Sequence, residues 1–230
     1  LHVDAKIANK EIVMRIGVLG TGTVGRTIGS KLVHLGHEVM LGARDVDNPN
    51  AVAWAKDEGE KHALFGNFSN AAEFGEIIFN CTLGSASLDA LRMAGAANLK
   101  GKILIDTSNP LDYSSDLWTL TVCNTDSLGE QIQREFPETL VVKSLNTINC
   151  DVMVHPTRLA ERTDVFVSGN SMEAKAQVNM ILREWFGWKS VIDLGDITTS
   201  RGVEMYVVMW RCFRKVVSSY HFNIRLVKSA

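Results

Sequence analysis

Gly20-Thr21-Gly22-Thr23-Val24-Gly25 constrains this chain more than any other segment. It follows directly on the strand-like run Arg15-Ile16-Gly17-Val18-Leu19 and opens straight into an apolar pattern of helical period. In that setting each glycine of G-x-G-x-x-G has its own steric task. Gly20 permits the tight turn, Gly22 lets the backbone approach a pyrophosphate, and Gly25 lets the helix pack against the strand. The helix start adds free N–H groups and the positive end of its dipole, so the segment reads as a cradle for a dinucleotide.

Beyond the cradle, short apolar runs alternate with helix-period segments. The runs lie at 15–19, 38–41, 77–80, 102–106, 140–144, 164–168 and 190–194, and the helical segments at 24–35, 50–61, 86–96, 126–136 and 172–186. Such alternation predicts an α/β fold: a doubly wound parallel sheet of the Rossmann type, with seven or eight strands. A last helical stretch, 200–217, carries Val203, Met205, Val207, Val208, Met209, Trp210 and Phe213 nearly all round. A helix of that kind is expected to be buried by more than its own chain. The expected organisation is a leader or added extension over 1–13, a dinucleotide-binding domain over 14–195, and a C-terminal helical segment over 196–230 that pairs two copies.

Composition removes several functions. With 46% hydrophobic residues among 230 the chain can build a substantial core, and a formal charge of −2 lacks the basic excess of a nucleic-acid binder. No run approaches the roughly 18 apolar residues of a membrane span. Four dispersed cysteines, 81, 123, 150 and 212, make neither a disulfide framework nor a zinc motif, which fits a reducing, cytoplasmic setting with no metal.

The second strand ends in Gly42-Ala43-Arg44. Enzymes that select the unphosphorylated cofactor place a carboxylate near this point, about 20 residues after the first glycine, to hold the ribose 2′-hydroxyl. Here Ala43 takes that place and the Arg44 guanidinium is ready for a 2′-phosphate, which favours NADP(H); Asp45, one residue on, is the competing reading. Ligands of such sheets sit beyond the carboxyl ends of the strands, so the following loops supply further candidates. Thr82 and Leu83 would line the cofactor or simply end their strand. Asn109 would hold the carboxamide or the acceptor, or form an Asn-Pro turn. Asn146 and Thr147 are acceptor-pocket candidates on the same edge. His155 is a weaker proton-donor candidate, and Cys81 and Cys150 read as buried structural thiols. No catalytic nucleophile is evident.

Residues 14 to 25, the Gly-Ala-Arg after the second strand, Val141-Val142-Lys143-Ser144-Leu145-Asn146-Thr147, Ser168-Gly169-Asn170 and Asp193-Leu194-Gly195-Asp196 together resemble the NADP oxidoreductases dependent on coenzyme F420. They are also similar to the NADPH-binding domain of the six-transmembrane metalloreductases. The resemblance spans residues 14 to 226. It implies hydride transfer between NADP(H) and a flavin or deazaflavin (F420) acceptor in the cleft. Where the family uses a Ser-Arg pair for the 2′-phosphate this chain has Ala43-Arg44, and where it has His-Thr beside the acceptor ring this chain has Asn146-Thr147. Competing functions are direct reduction of a small carbonyl or imine, and an NADPH-binding redox sensor without turnover.

Overall fold

A computed structural model describes residues 13–114 and 118–229. The expected 1–13 leader therefore lies outside the described residues apart from Val13.

The glycine-flanked strand β1 (Arg15–Leu19) leads through α1 (Thr23–His34) into β2 (Glu38–Ala43), α2 (Pro49–Glu58), β3 (Ala63–Asn67), α3 (Phe68–Phe74) and β4 (Ile77–Asn80). Next come α4 (Gly84–Ala94), the short α5 (Ala96–Leu99), β5 (Ile103–Asp106), and a small hairpin of β6 (Leu111–Asp112) and β7 (Thr119–Leu120). The chain continues with α6 (Leu128–Glu135), β8 (Leu140–Ser144), α7 (Cys150–Val154), β9 (Asp164–Gly169), α8 (Met172–Met180), β10 (Ser190–Gly195) and α9 (Ser200–Val217). The main sheet has eight strands in the order β10-β9-β8-β5-β4-β1-β2-β3. Both flanks of β1 pair in parallel, with Ile16 level with Val39 on one side and Ile77 on the other.

Because side chains alternate across a strand, each central strand feeds two cores. Ile77 and Phe79 of β4 join Ile16, Val18, Ile28, Leu32 and Trp54 on the face covered by α1 and α2. Ile78 joins Leu19, Leu91, Leu104 and Ile132 on the face covered by α3, α4 and α6. With both faces covered, these strands read as continuous apolar runs, which made them visible in the sequence.

Two expectations change. The sheet is not wholly parallel: β8 pairs antiparallel with β9, and β10 is parallel to β9, so the last two strands run against the rest. The chain between β8 and β9, residues 145–163, holds only the five-residue α7 and a 3-10 turn. The single helix expected over 172–186 is α8 followed by a π-helical turn at Ile181–Trp185, which buries the consecutive Ile181 and Leu182. The apolar residues of α9 lie on two faces, only one of which its own chain buries. Val203, Glu204, Val207 and Trp210 face inward, whereas Met205, Val208, Met209 and Phe213 are exposed. Trp210 belongs to its own chain, stacked on Trp118 and Phe222 with centroids 6.3 and 5.1 Å apart.

Candidate active site at the carboxyl edge of the sheet

A cleft of about 530 Å³ opens where β1, β2, β4 and β5 end. Gly20 to Val24 line one side, with Arg44 and Phe68 beside them; Thr82 to Gly84 and Ala86 line the other, and Thr107, Ser108, Asn109, Leu111 and Tyr113 close the end. The loop glycines divide their work as steric reasoning requires. Gly20 sits at φ +115°, and a Cβ on Gly25 would stand 2.0 Å from the Gly20 carbonyl oxygen, so both shape the protein itself. A Cβ on Gly22 would meet nothing within 4 Å; the space in front of it is open to a ligand.

Two helices start at this cleft. Gly22 is the N-cap of α1 and Leu83 of α4; neither start has a side-chain cap or an acidic residue in its first turn. Their first N–H groups have no partner within the helix, and both positive dipole ends favour an anion. Arg44 is exposed on the same wall, with no hydrogen bond or ion pair among the described residues. Asp45 does not line the cleft. These residues fit a phosphorylated dinucleotide: backbone donors for the pyrophosphate and a free guanidinium for an additional phosphate. Ala43 and Gly25 do not reach the cleft wall; Ala43 is buried at the end of β2, level with Asn67 of β3.

The Thr82 turn is held from below. Asn80 is wholly buried; its Nδ2 donates to Ser87 Oγ at 3.1 Å and Asp106 Oδ1 at 2.9 Å, while its Oδ1 accepts from Thr82 Oγ1 at 2.7 Å. Leu83 projects into solvent at the rim, 62% exposed. Behind the far wall lies a buried ionic trio. Lys143 Nζ is 2.6 Å from Asp106 Oδ2 and 2.7 Å from Glu204 Oε1, and it donates to the Ser108 carbonyl oxygen at 2.8 Å. Burial alone would lower the Lys143 pKa, but the Asp106 and Glu204 carboxylates outweigh it and hold the ammonium above its ordinary value. Removing one partner from such a set costs about 3–5 kcal/mol, because a buried charge is left uncompensated.

Of the acceptor candidates, Asn109 lines the cleft, but Asn146 and Thr147 do not. Leu145, in the left-handed region at φ +64°, turns the chain so that Asn146 points inward beneath α9, where Asn146 is 5% and Thr147 3% exposed. His155 lies elsewhere, on a face shared with Lys31, His34 and Arg158, where burial and those cations lower its pKa. Cys81 lines the cleft, but burial pushes its thiol up to about 12, so it is a neutral wall. The sequence patterns did not single out Phe68, Met93, Leu111 or Tyr113 as cleft residues. They also missed Asn80, Asp106 and Glu204; a lysine and an aspartate in otherwise apolar strands were the available signal. No group of three or more His, Cys, Asp or Glu side chains among the described residues is arranged to hold a metal, and no described helix is long and apolar enough to cross a membrane.

Anion-binding helix starts at the carboxyl edge suit dinucleotide-dependent oxidoreductases, and that class contains this chain. The family model described as NADP oxidoreductase coenzyme F420-dependent matches residues 15–110. A crystal structure from Arthrobacter sp. FB24, provisionally named an F420-dependent NADP-reductase, is 46% identical, with a TM-score of 0.88 over 94% of this chain and 100% of that one. The chain belongs to the F420-dependent NADP oxidoreductase family, and it is an NADP-dependent oxidoreductase. Rat metalloreductase STEAP3 is 29% identical over 198 residues, covering 83% of this chain; the chain spans only 36% of that relative's length. A reductive aminase from Aspergillus terreus shares the fold alone, at 13% identity, a TM-score of 0.62, and 90% and 63% coverage of this chain and that one.

Proposed function

We propose that the chain passes a hydride between NADP(H) and a flavin-like or deazaflavin (F420-type) acceptor in this cleft. The carrying observation is the chemistry of the wall. Leu83, Met93 and Tyr113 offer exposed apolar surface for a flat ring. The described lining has no histidine or lysine, its thiol is held neutral, its one carboxylate, Asp89, is paired with Arg92 at 2.6 Å, and its one phenol, Tyr113, is 57% exposed with no hydrogen bond among the described residues to place its hydroxyl. Reduction of a carbonyl or imine calls for a placed proton donor, whereas hydride transfer between stacked rings depends mainly on alignment. Bound NADPH would supply the hydride. The backbone of Gly20 to Val24 would hold its pyrophosphate and Arg44 its 2′-phosphate, while Thr82, Leu83 and Asn109 would shape the reacting end of the cleft. The F420-dependent name of the Arthrobacter relative points the same way.

Steady-state NADPH oxidation with F420, FMN, riboflavin, a ferric chelate and a cyclic imine tests this reading. Faster turnover with the deazaflavin or flavins is expected; turnover confined to the imine or the chelate would replace it. We further place two copies face to face across the outward side of α9, where Met205, Val208, Met209 and Phe213 form an apolar strip of the kind that symmetric pairing covers. A cytosolic setting is supported by four cysteines that all remain free.

A further inference from the structure

Two adjacent residues of α9 reach through the protein to two adjacent residues of the cleft wall. The first path starts at Glu204, whose Oε1 is 2.7 Å from Lys143 Nζ; Lys143 in turn donates to the Ser108 carbonyl oxygen at 2.8 Å. Asp106 braces the same residue, since its Oδ1 accepts from Ser108 N at 3.1 Å and from Ser108 Oγ at 2.6 Å. The second path starts at Val203, whose carbonyl oxygen accepts from Asn146 Nδ2 at 3.0 Å. That amide also donates to Asn109 Oδ1 at 2.9 Å, and Asn109 Nδ2 returns a bond to the Asn146 carbonyl oxygen at 2.8 Å. The first path is sealed from water, with Glu204 1% and Lys143 0% exposed, and in the second Asn146 is 5% exposed while Asn109 is partly buried at the cleft. Glu204, Lys143 and Asn146 do not touch the cleft, whereas Ser108 and Asn109 line it.

Glu204 is itself fixed, because its two carboxylate oxygens also accept from Leu128 N at 2.8 Å and Gly129 N at 3.0 Å at the start of α6. A charge pinned on three sides in a dry interior has little freedom to shift, and hydrogen-bonded chains in such surroundings transmit position well. We infer that Glu204 and Asn146 are positioning residues, through which α9 sets the geometry of the Ser108–Asn109 wall without touching a ligand. This deepens, and rests on, the proposed hydride transfer at that wall.

The test uses the whole protein carrying Glu204→Gln, Asn146→Ala, Asn109→Ala and the Glu204→Gln/Asn109→Ala pair. In Glu204→Gln and Asn146→Ala, NADPH affinity should stay within about twofold, since neither residue touches the cleft, while kcat/KM for the flavin or deazaflavin falls about tenfold to a hundredfold in each single variant. In the pair the losses should fall short of multiplying, because both changes act on one wall. Amide exchange, which needs no acceptor, should speed up in residues 107–111 and stay unchanged in residues 20–25. Equal losses in NADPH affinity and turnover, exchange that rises throughout the chain, or a folded Asn146→Ala with wild-type kcat/KM and exchange would overturn the inference. If Glu204→Gln does not fold, Asn146→Ala carries the same test through the uncharged path. Should the wild type reduce no flavin or deazaflavin, the acceptor reading fails; the positioning inference is then judged on exchange alone, and stands or falls by it.

Discussion

Substituting the three loop glycines separates the residues that shape the protein from the one that shapes the ligand space. Gly22 has φ −72° and ψ −176°, extended backbone that any residue adopts, and a Cβ there meets no protein atom within 4 Å. Gly22→Val should therefore fold. The main penalty is a poorer helix N-cap, about 0.5–1.5 kcal/mol, which in a chain of this size lowers Tm by roughly 1–6 °C. Binding should respond very differently. The isopropyl group fills the space before the first N–H groups of α1, and losing two charge-assisted hydrogen bonds at about 1.5–3 kcal/mol each weakens NADPH by about two to four orders of magnitude. Gly25→Ala, whose methyl would stand 2.0 Å from the Gly20 carbonyl oxygen, should instead lose the fold, as should Gly20→Ala at φ +115°. Thermal melts and NADPH fluorescence titrations of the three variants are sufficient. A folded Gly22→Val with wild-type NADPH affinity would refute the cradle, and a Gly25→Ala with unchanged Tm would refute the steric account of the loop.

Arg44→Ala should weaken NADPH by about 10- to 150-fold and leave NADH nearly unchanged, because one charged contact to the 2′-phosphate is lost; equal losses in parallel titrations would show that Arg44 does not read that phosphate. Met209→Glu, on the 52%-exposed outer side of α9, should give monomers by sedimentation while Tm holds, and a wild-type monomer at micromolar concentration would end the pairing proposal. Arg134, bonding through its guanidinium, holds Asp126 down at about 2. That depressed pKa adds stability above the unfolded value near 4, and the stability is lost as pH falls from about 4 towards 2. Asp126→Asn should flatten this part of the acid limb in urea melts, and an unchanged acid slope would show that the pair contributes nothing.

Local chemistry made the cofactor side readable. The glycine spacing, the strand before it and Arg44 all lie within thirty residues, and each has a steric or electrostatic task that needs no distant partner. The acceptor side depends on what lies over it. Asn146 follows a strand that ends at the correct edge, yet the left-handed Leu145 and the covering α9 turn it inward, and no periodicity reports that. Lys143 did carry a signal, as a charge within the apolar run Leu140–Ser144, but its partners come from β5 and α9. Strand β3 escaped because its edge position leaves Leu64 and Phe65 partly exposed and Gly66 breaks its apolar pattern. The reversal of β9 left no mark, because the apolar pattern of a strand is the same in either direction.

The spacing of the ionic trio along the chain also sets an order of events during synthesis. Asp106 and Lys143 leave the ribosome with the body of the sheet, whereas Glu204 follows roughly 60 residues later, a delay of about 3–12 s at ordinary elongation rates. In that interval the nascent chain already holds every residue of the cofactor cradle, while Lys143 faces a single carboxylate and the start of α6 lacks its acceptor. The residues of the glycine loop and Arg44 are therefore all in place before the Ser108–Asn109 wall gains its last brace.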